Sequence, residues 1–158
     1  HFLASLGEAI GRTIGAGACE LGLESTIVAL RPDGGWALLR PGPVSETEIA
    51  ALLGPQETDV FGAPRIEAPG QLASHYAPGK PVRLDAIEAD GDEFHIGFGA
   101  VPGDWNLSPS ADLSEAAANL YEALHRAAAD ARPRVAVAPV PEEGAGLAIN
   151  DRLRRAAA

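Results

Sequence analysis

Methionine is absent from this chain, and cysteine and lysine occur once each, at Cys19 and Lys80. Each shortage excludes something. A single cysteine permits no internal disulfide and no cysteine-rich metal site, and it is compatible with a reducing compartment. Unpaired cysteine commonly packs as a small apolar group, so Cys19 is expected half-buried in its glycine-rich loop. Basic residues are few: 12 Lys and Arg stand against 22 Asp and Glu, a formal charge of −10. That is the wrong sign for gripping a phosphate backbone, so direct nucleic-acid binding is not expected. No apolar run approaches the roughly 20 residues that a membrane span needs. No basic segment followed by an apolar stretch reads as a signal peptide, so no membrane partner and a cytoplasmic location are expected. The chain opens on His1, and an internal start, as in a cloned or processed fragment, is the simplest expectation.

What is present is globular in character. Hydrophobic residues make up 46% of 158, enough for one core or for one domain and a piece of another. The chain divides into three parts. Residues 1–54 begin with Phe2, Leu3, Leu6 and Ile10 at helical spacing, the tail of a helix. Glycines 15, 17 and 22 mark a loop. A strand-like run follows over 25–30, then a Pro-Asp-Gly-Gly turn and a second strand over 36–40. Ser45 and Glu48 form a capping box for a short helix that Gly54 and Pro55 end. Residues 55–81 carry five prolines and no clear periodicity, which reads as a linker or a functional loop.

Residues 82–158 alternate strand and helix patterns. Short strands are expected at 82–84 and 94–98. A helix with Asp112 as cap carries Leu113, Ala117, Leu120, Tyr121 and Leu124 in one stripe. Val135 to Ala138 is apolar on both faces, as a central buried strand of a parallel sheet would be. Ile149, Leu153 and Ala156 mark a last helix, with Arg152, Arg154 and Arg155 assigned to its polar side. Strand, helix, strand, helix predicts an α/β fold with a mostly parallel sheet flanked by helices. Asp85, Asp90, Asp92 and Glu93 are expected at solvated turns. Gly144-Ala145-Gly146 sits where a phosphate loop would, but Glu142 and Glu143 precede it. It lacks a third glycine and a Walker lysine, so it reads as a tight turn that starts a helix.

Three motifs occur in order: Gly22-Leu23-Glu24-Ser25-Thr26-Ile27-Val28 with Leu39-Arg40-Pro41-Gly42, then Ser74-His75-Tyr76-Ala77-Pro78, then Gly144 to Ala156 with Asn150-Asp151-Arg152-Leu153. This series resembles the two-domain threonylcarbamoyl-AMP synthases. In that family a YrdC-like catalytic domain ends on the first motif, a linker carries the second, and a smaller Rossmann-like domain carries the third. The resemblance implies that residues 1–54 are the end of the catalytic domain, 55–81 the linker and 82–158 the C-terminal domain. It implies an enzyme that condenses L-threonine, bicarbonate and ATP, with magnesium in the full-length protein, into threonylcarbamoyl-adenylate and pyrophosphate. A downstream transferase would then pass the threonylcarbamoyl group to tRNA. The family's basic upstream segment is missing, so this chain alone is expected to be inactive and to hold no cofactor.

The resemblance places Ser25 and Thr26 at the threonine and nucleotide pocket, and Arg40 on the ATP phosphates, which a guanidinium fork suits. With the rest of the pocket absent, Arg40 is expected to lie exposed or to meet a solvent anion. Tyr76 would contact the nucleotide from a lid formed by the linker. His75 has a reference pKa near ~6.5 that suits acid–base work, but a structural role is expected more often. No catalytic residue and no metal ligand is assigned. Two other readings stay open: that residues 82–158 bind a nucleotide or a partner by themselves, or that they only anchor the lid.

Overall fold

The structure is a computed structural model that describes residues 11, 12, 14, 17, 19–56, 66–70 and 77–158. Strands β1 (Ile27–Leu30) and β2 (Trp36–Arg40) form an antiparallel hairpin in which Leu30 faces Trp36 and Ile27 faces Arg40. Its turn closes because Arg31 N–H donates to Gly35 O at 2.8 Å and Gly34 takes a positive φ of 92°. Only glycine adopts that backbone without strain. Helix α1 (Glu46–Leu53) follows, and its capping box is complete: Ser45 Oγ accepts from Glu48 N–H, and Glu48 accepts from Ser45 N–H. Buried Trp36 donates its indole N–H to Gly54 O at 3.0 Å, which ties the end of α1 back to β2.

Strands β3 (Val82–Arg83), β4 (Glu93–Gly97), β5 (Trp105–Asn106) and β6 (Arg134–Val137) make a second sheet in the order β3-β6-β4-β5, with every pair parallel. β6 is central, as the doubly apolar run predicts. Helix α2 (Leu113–Ala129) links β5 to β6, and α3 (Ala145–Ala156) ends the chain. Asp112 caps α2 by accepting from Ser114 and Glu115 N–H. Phe94, Ile96, Val135 and Val137 face the two helices and close one core with Leu120, Leu124, Ile149 and Leu153. This is the expected α/β architecture, with α2 and α3 packed against each other.

The alternate residues of β4 point to the opposite face. There the described cover consists of the loops after β3 and after β4. His95 Nε2 bonds Ala86 O at 3.1 Å, and a Cβ on Gly103 would stand 2.5 Å from His95 O. Glu93, expected at a solvated turn, is 2% exposed. It is buried because Arg83 donates to both its carboxylate oxygens and Asp90 N–H adds a third bond. Those donors, the Arg83 hydrogen bond first, pull its pKa down to about 2. Cys19, expected half-buried, is exposed. The helix expected over residues 2–10 lies outside the described residues. The Asn106-Leu107-Ser108-Pro109 loop is structural: Asn106 Nδ2 donates to Gly99 O and Val101 O, and Leu107 is fully buried.

Candidate functional site

The first motif runs into β1, and the Leu-Arg-Pro-Gly motif is the end of β2, so antiparallel pairing brings the two side by side. Arg40 is buried at 9% exposure. Its Nε donates to Ser25 O at 3.1 Å and its Nη2 to Ser25 Oγ at 3.2 Å. Nη1 reaches Pro69 O at 3.4 Å. The expectation of an exposed Arg40 is therefore corrected. The guanidinium finds backbone and hydroxyl acceptors inside this chain, which compensate for its burial. A guanidinium carries five N–H groups, and these bonds use three of them.

Ser25 and Arg40 are thus brought together, and Ser25 stays exposed. Thr26 has a different partner. Its hydroxyl donates to Val44 O at 2.8 Å and accepts from Val44 N–H at 3.0 Å. Neighbouring residues of an extended chain point to opposite sides, which is why Ser25 and Thr26 diverge. Gly42 has a packing reason. A Cβ there would stand 2.7 Å from Glu24 O and from Ser25 C, closer than any side chain permits. The Pro-Gly turn therefore presses directly on the Glu-Ser-Thr backbone.

Part of the linker folds onto the same hairpin. Arg31 makes a two-pronged ion pair with Glu67, at 2.7 and 3.0 Å, and Ala68 is buried. With Pro69 O on Arg40, residues 67–69 cover the hairpin near the Ser25–Arg40 pair. Tyr76 and His75 lie outside the described residues. At the far end of the linker, Lys80 Nζ donates to Ala127 O at 2.8 Å and to Asp130 O. An ammonium on the last carbonyls of a helix is a favourable C-terminal cap.

A residue that the sequence reading put on the solvent side proves central. Arg152 is fully buried. Its Nε donates to Glu24 Oε2 at 3.1 Å, and its Nη1 donates to Pro41 O at 2.9 Å and to Asp151 Oδ2 at 2.8 Å. Tyr121 donates its hydroxyl to the same Glu24 oxygen at 2.8 Å. Burial, the largest single influence, disfavours the charged guanidinium, but Glu24 and Tyr121 outweigh it and hold the pKa above its ordinary value. The signal was in the sequence. Arg152 follows Ile149 by three positions and so shares the apolar stripe of α3. Its charge alone argued for the solvent side. By contrast Arg154 does reach outward, pairing with Glu142, and Arg155 pairs with Asp151 one turn back.

Gly144 starts α3 with a φ of 49°, and a side chain at Gly146 would overlap Pro141 O, so the Gly-Ala-Gly turn is a packing device. A cavity of about 510 Å³ opens between the two loops that cover the second face of the parallel sheet, lined by His95, Ile87, Glu88 and Asp104. Among the described residues no group of three or more His, Cys, Asp or Glu could hold a metal ion.

Fold and site together define a parallel α/β domain whose two helices hold the segments that flank an antiparallel hairpin. Comparison with known proteins gives this class a family. Residues 44–158 match the family model described as threonylcarbamoyl-AMP synthase, C-terminal domain, and the chain belongs to that family. It is 28% identical over 179 aligned positions to a threonylcarbamoyl-AMP synthase of Bacillus subtilis (strain 168), covering 99% of this chain and 51% of that protein. It is 29% identical over 168 positions to one from Pyrococcus abyssi (strain GE5 / Orsay), covering 90% of this chain and 48% of that protein. The chain thus spans about half the length of these curated relatives. The fold is similar to a crystal structure of P. abyssi Sua5 complexed with L-threonine, with a TM-score of 0.63, 24% identity, and 87% of this chain and 46% of that chain covered.

Proposed function

We propose that this chain is the C-terminal half of a threonylcarbamoyl-AMP synthase. The observation that carries the reading is that relatives bearing that name align along nearly the whole chain and account for it as about half of a longer protein. The reaction would join L-threonine, bicarbonate and ATP into threonylcarbamoyl-adenylate, pyrophosphate and water. The threonine amine and bicarbonate form a carbamate with loss of water. A carbamate oxygen then attacks the α-phosphorus, and pyrophosphate leaves.

In this reading the hairpin supplies one wall of the site. Ser25 offers an exposed hydroxyl and backbone to the amino acid or the adenylate. Arg40 meets the phosphates with the N–H groups that its bonds to Ser25 and Pro69 leave over. Thr26 joins that wall chiefly by pinning Val44. Tyr76 would contact the nucleotide. Magnesium would enter with the triphosphate, whose phosphate oxygens supply hard ligands that suit it. The product would pass to a threonylcarbamoyl transferase acting on tRNA, without direct nucleic-acid contact by this acidic half. The setting would be cytoplasmic; no described helix is long and apolar enough to cross a membrane.

The test compares this chain with the complete protein in an assay of pyrophosphate release that depends on both threonine and bicarbonate. Simultaneous positioning of three reactants needs a complete pocket. The chain's net charge of −10 also repels a triphosphate rather than gathering it. The complete protein is expected to be active and this half inactive. Robust threonine-dependent release from the half alone would overturn the assignment of the catalytic groups.

A further inference from the structure

Arg152 sits on the last helix, yet its guanidinium spans the two segments that lead into the site. One arm holds Glu24, the residue before Ser25, and another holds Pro41 O, the residue after Arg40. Tyr121, from the other helix, holds the same Glu24 carboxylate. The contact is close packed as well as polar. Gly22 has a φ of 65°, and a side chain there would overlap the backbone of Ala117 and Ala118 in α2. Leu23 packs against the core of the parallel domain. The ends of both motif strands are therefore registered against α2 and α3 rather than only against each other.

We propose that Arg152, Glu24 and Tyr121 are positioning residues, through which the C-terminal domain sets the placement of Ser25 and Arg40 for the triphosphate. The inference rests on the proposed function and extends it. The C-terminal domain is then neither a separate ligand-binding module nor a passive anchor for the lid, but the clamp that fixes one wall of the site. A planar fork is needed because Glu24 and Pro41 O are two acceptors in different directions, and a lysine ammonium on a single stem does not reproduce that geometry. Arg152 touches no substrate in this scheme; it acts through Ser25 and Arg40.

The experiment uses the complete protein and first establishes threonine-dependent pyrophosphate release by the unmodified enzyme. If the unmodified enzyme has none, the proposed function fails. The clamp is then judged separately, by hydrogen exchange of the amides of residues 23–28, 38–40 and 42 in Glu24→Gln and Tyr121→Phe. Faster exchange there is expected in both, and unchanged exchange overturns the clamp. With an active enzyme, Glu24→Gln and Arg152→Lys are expected to raise KM for ATP on the order of 10-fold or more, and KM for threonine less. Arg40→Ala should show the same bias. The double variant Glu24→Gln/Arg40→Ala should be little worse than Arg40→Ala alone, because both remove one interaction chain. Glu24→Gln and Tyr121→Phe keep the test open if changes at buried Arg152 prevent folding. A lowered melting temperature with both KM values unchanged would reduce the trio to a structural contact and overturn the proposal, as would fully additive losses in the double variant.

Discussion

Individual residues in this chain are held by neighbours that their chemical type does not announce. Gly42 is the clearest case. It is written into a Leu-Arg-Pro-Gly string that reads as a turn, but what demands glycine is the backbone of Glu24 and Ser25 pressed against its Cα. Gly42→Ala should therefore overpack the junction and destabilise the protein by about 1–3 kcal/mol, read as a drop in the urea midpoint at unchanged slope. An unchanged midpoint would mean that the junction relaxes at little cost. Arg40, Arg152 and Glu93 teach a related lesson. Arg152 and Glu93 were placed toward solvent because they are charged, and Arg40 because the rest of its pocket is absent; all three are buried because partners elsewhere in the chain satisfy them. Ser25 and Arg40 were each marked by a motif, but as separate pocket contacts. That Arg40 bonds Ser25 and reaches Pro69 of the linker was not legible, since 15 and 29 positions separate the partners.

Elements follow from local pattern more faithfully. The Ser45–Glu48 capping box, the Asp112 cap and the turn before β2 all form as their residue types require. Ser45→Ala should remove a cap that two reciprocal bonds complete, at a cost of about 1 kcal/mol, measured by thermal or urea unfolding. Helix α2 has a different dependence. Leu120 is fully buried in its centre, so Leu120→Ala should cost about 2–5 kcal/mol and exceed the loss at Ser45. If the two losses came out equal, the core described around α2 would be wrong. Parallel strands β3 and β5 are only two residues each, too short for periodicity to mark with accuracy. Their existence depends on pairing with β6 and β4.

At the scale of the whole molecule, two sheets are joined by a few polar groups, by close packing of Gly22 and Leu23 on the parallel domain, and by a linker whose residues 67–69 lie on the first sheet while Lys80 caps α2. Acid should act on the second sheet through Glu93 and Asp130, whose pKa values are each held at about 2 by arginine, against ordinary values of 4.5 and 3.8. Because the folded values are depressed, their contribution is fully present above the ordinary carboxylate range. It is lost as pH falls from there toward about 2, since the unfolded chain binds protons first. Urea midpoints are expected to fall progressively below pH 4.5, and Glu93→Gln should flatten that dependence. A profile as steep in the variant as in the parent would remove Glu93 from the account. The sequence by itself determined the class of fold, the order of its elements apart from β5, the central place of the run Val135 to Ala138 and the family, because periodicity, capping and motif order are local properties that survive without coordinates. Only the tertiary structure decided where the charges go. Glu24 and Arg152 are 128 positions apart, and no propensity or spacing encodes that a helix at the end of the chain closes on the strand near its beginning. Packing of α2 and α3 against the Gly22–Glu24 segment removes water from the Arg152 guanidinium, and the half-buried Glu24 carboxylate, with Pro41 O, offsets that cost.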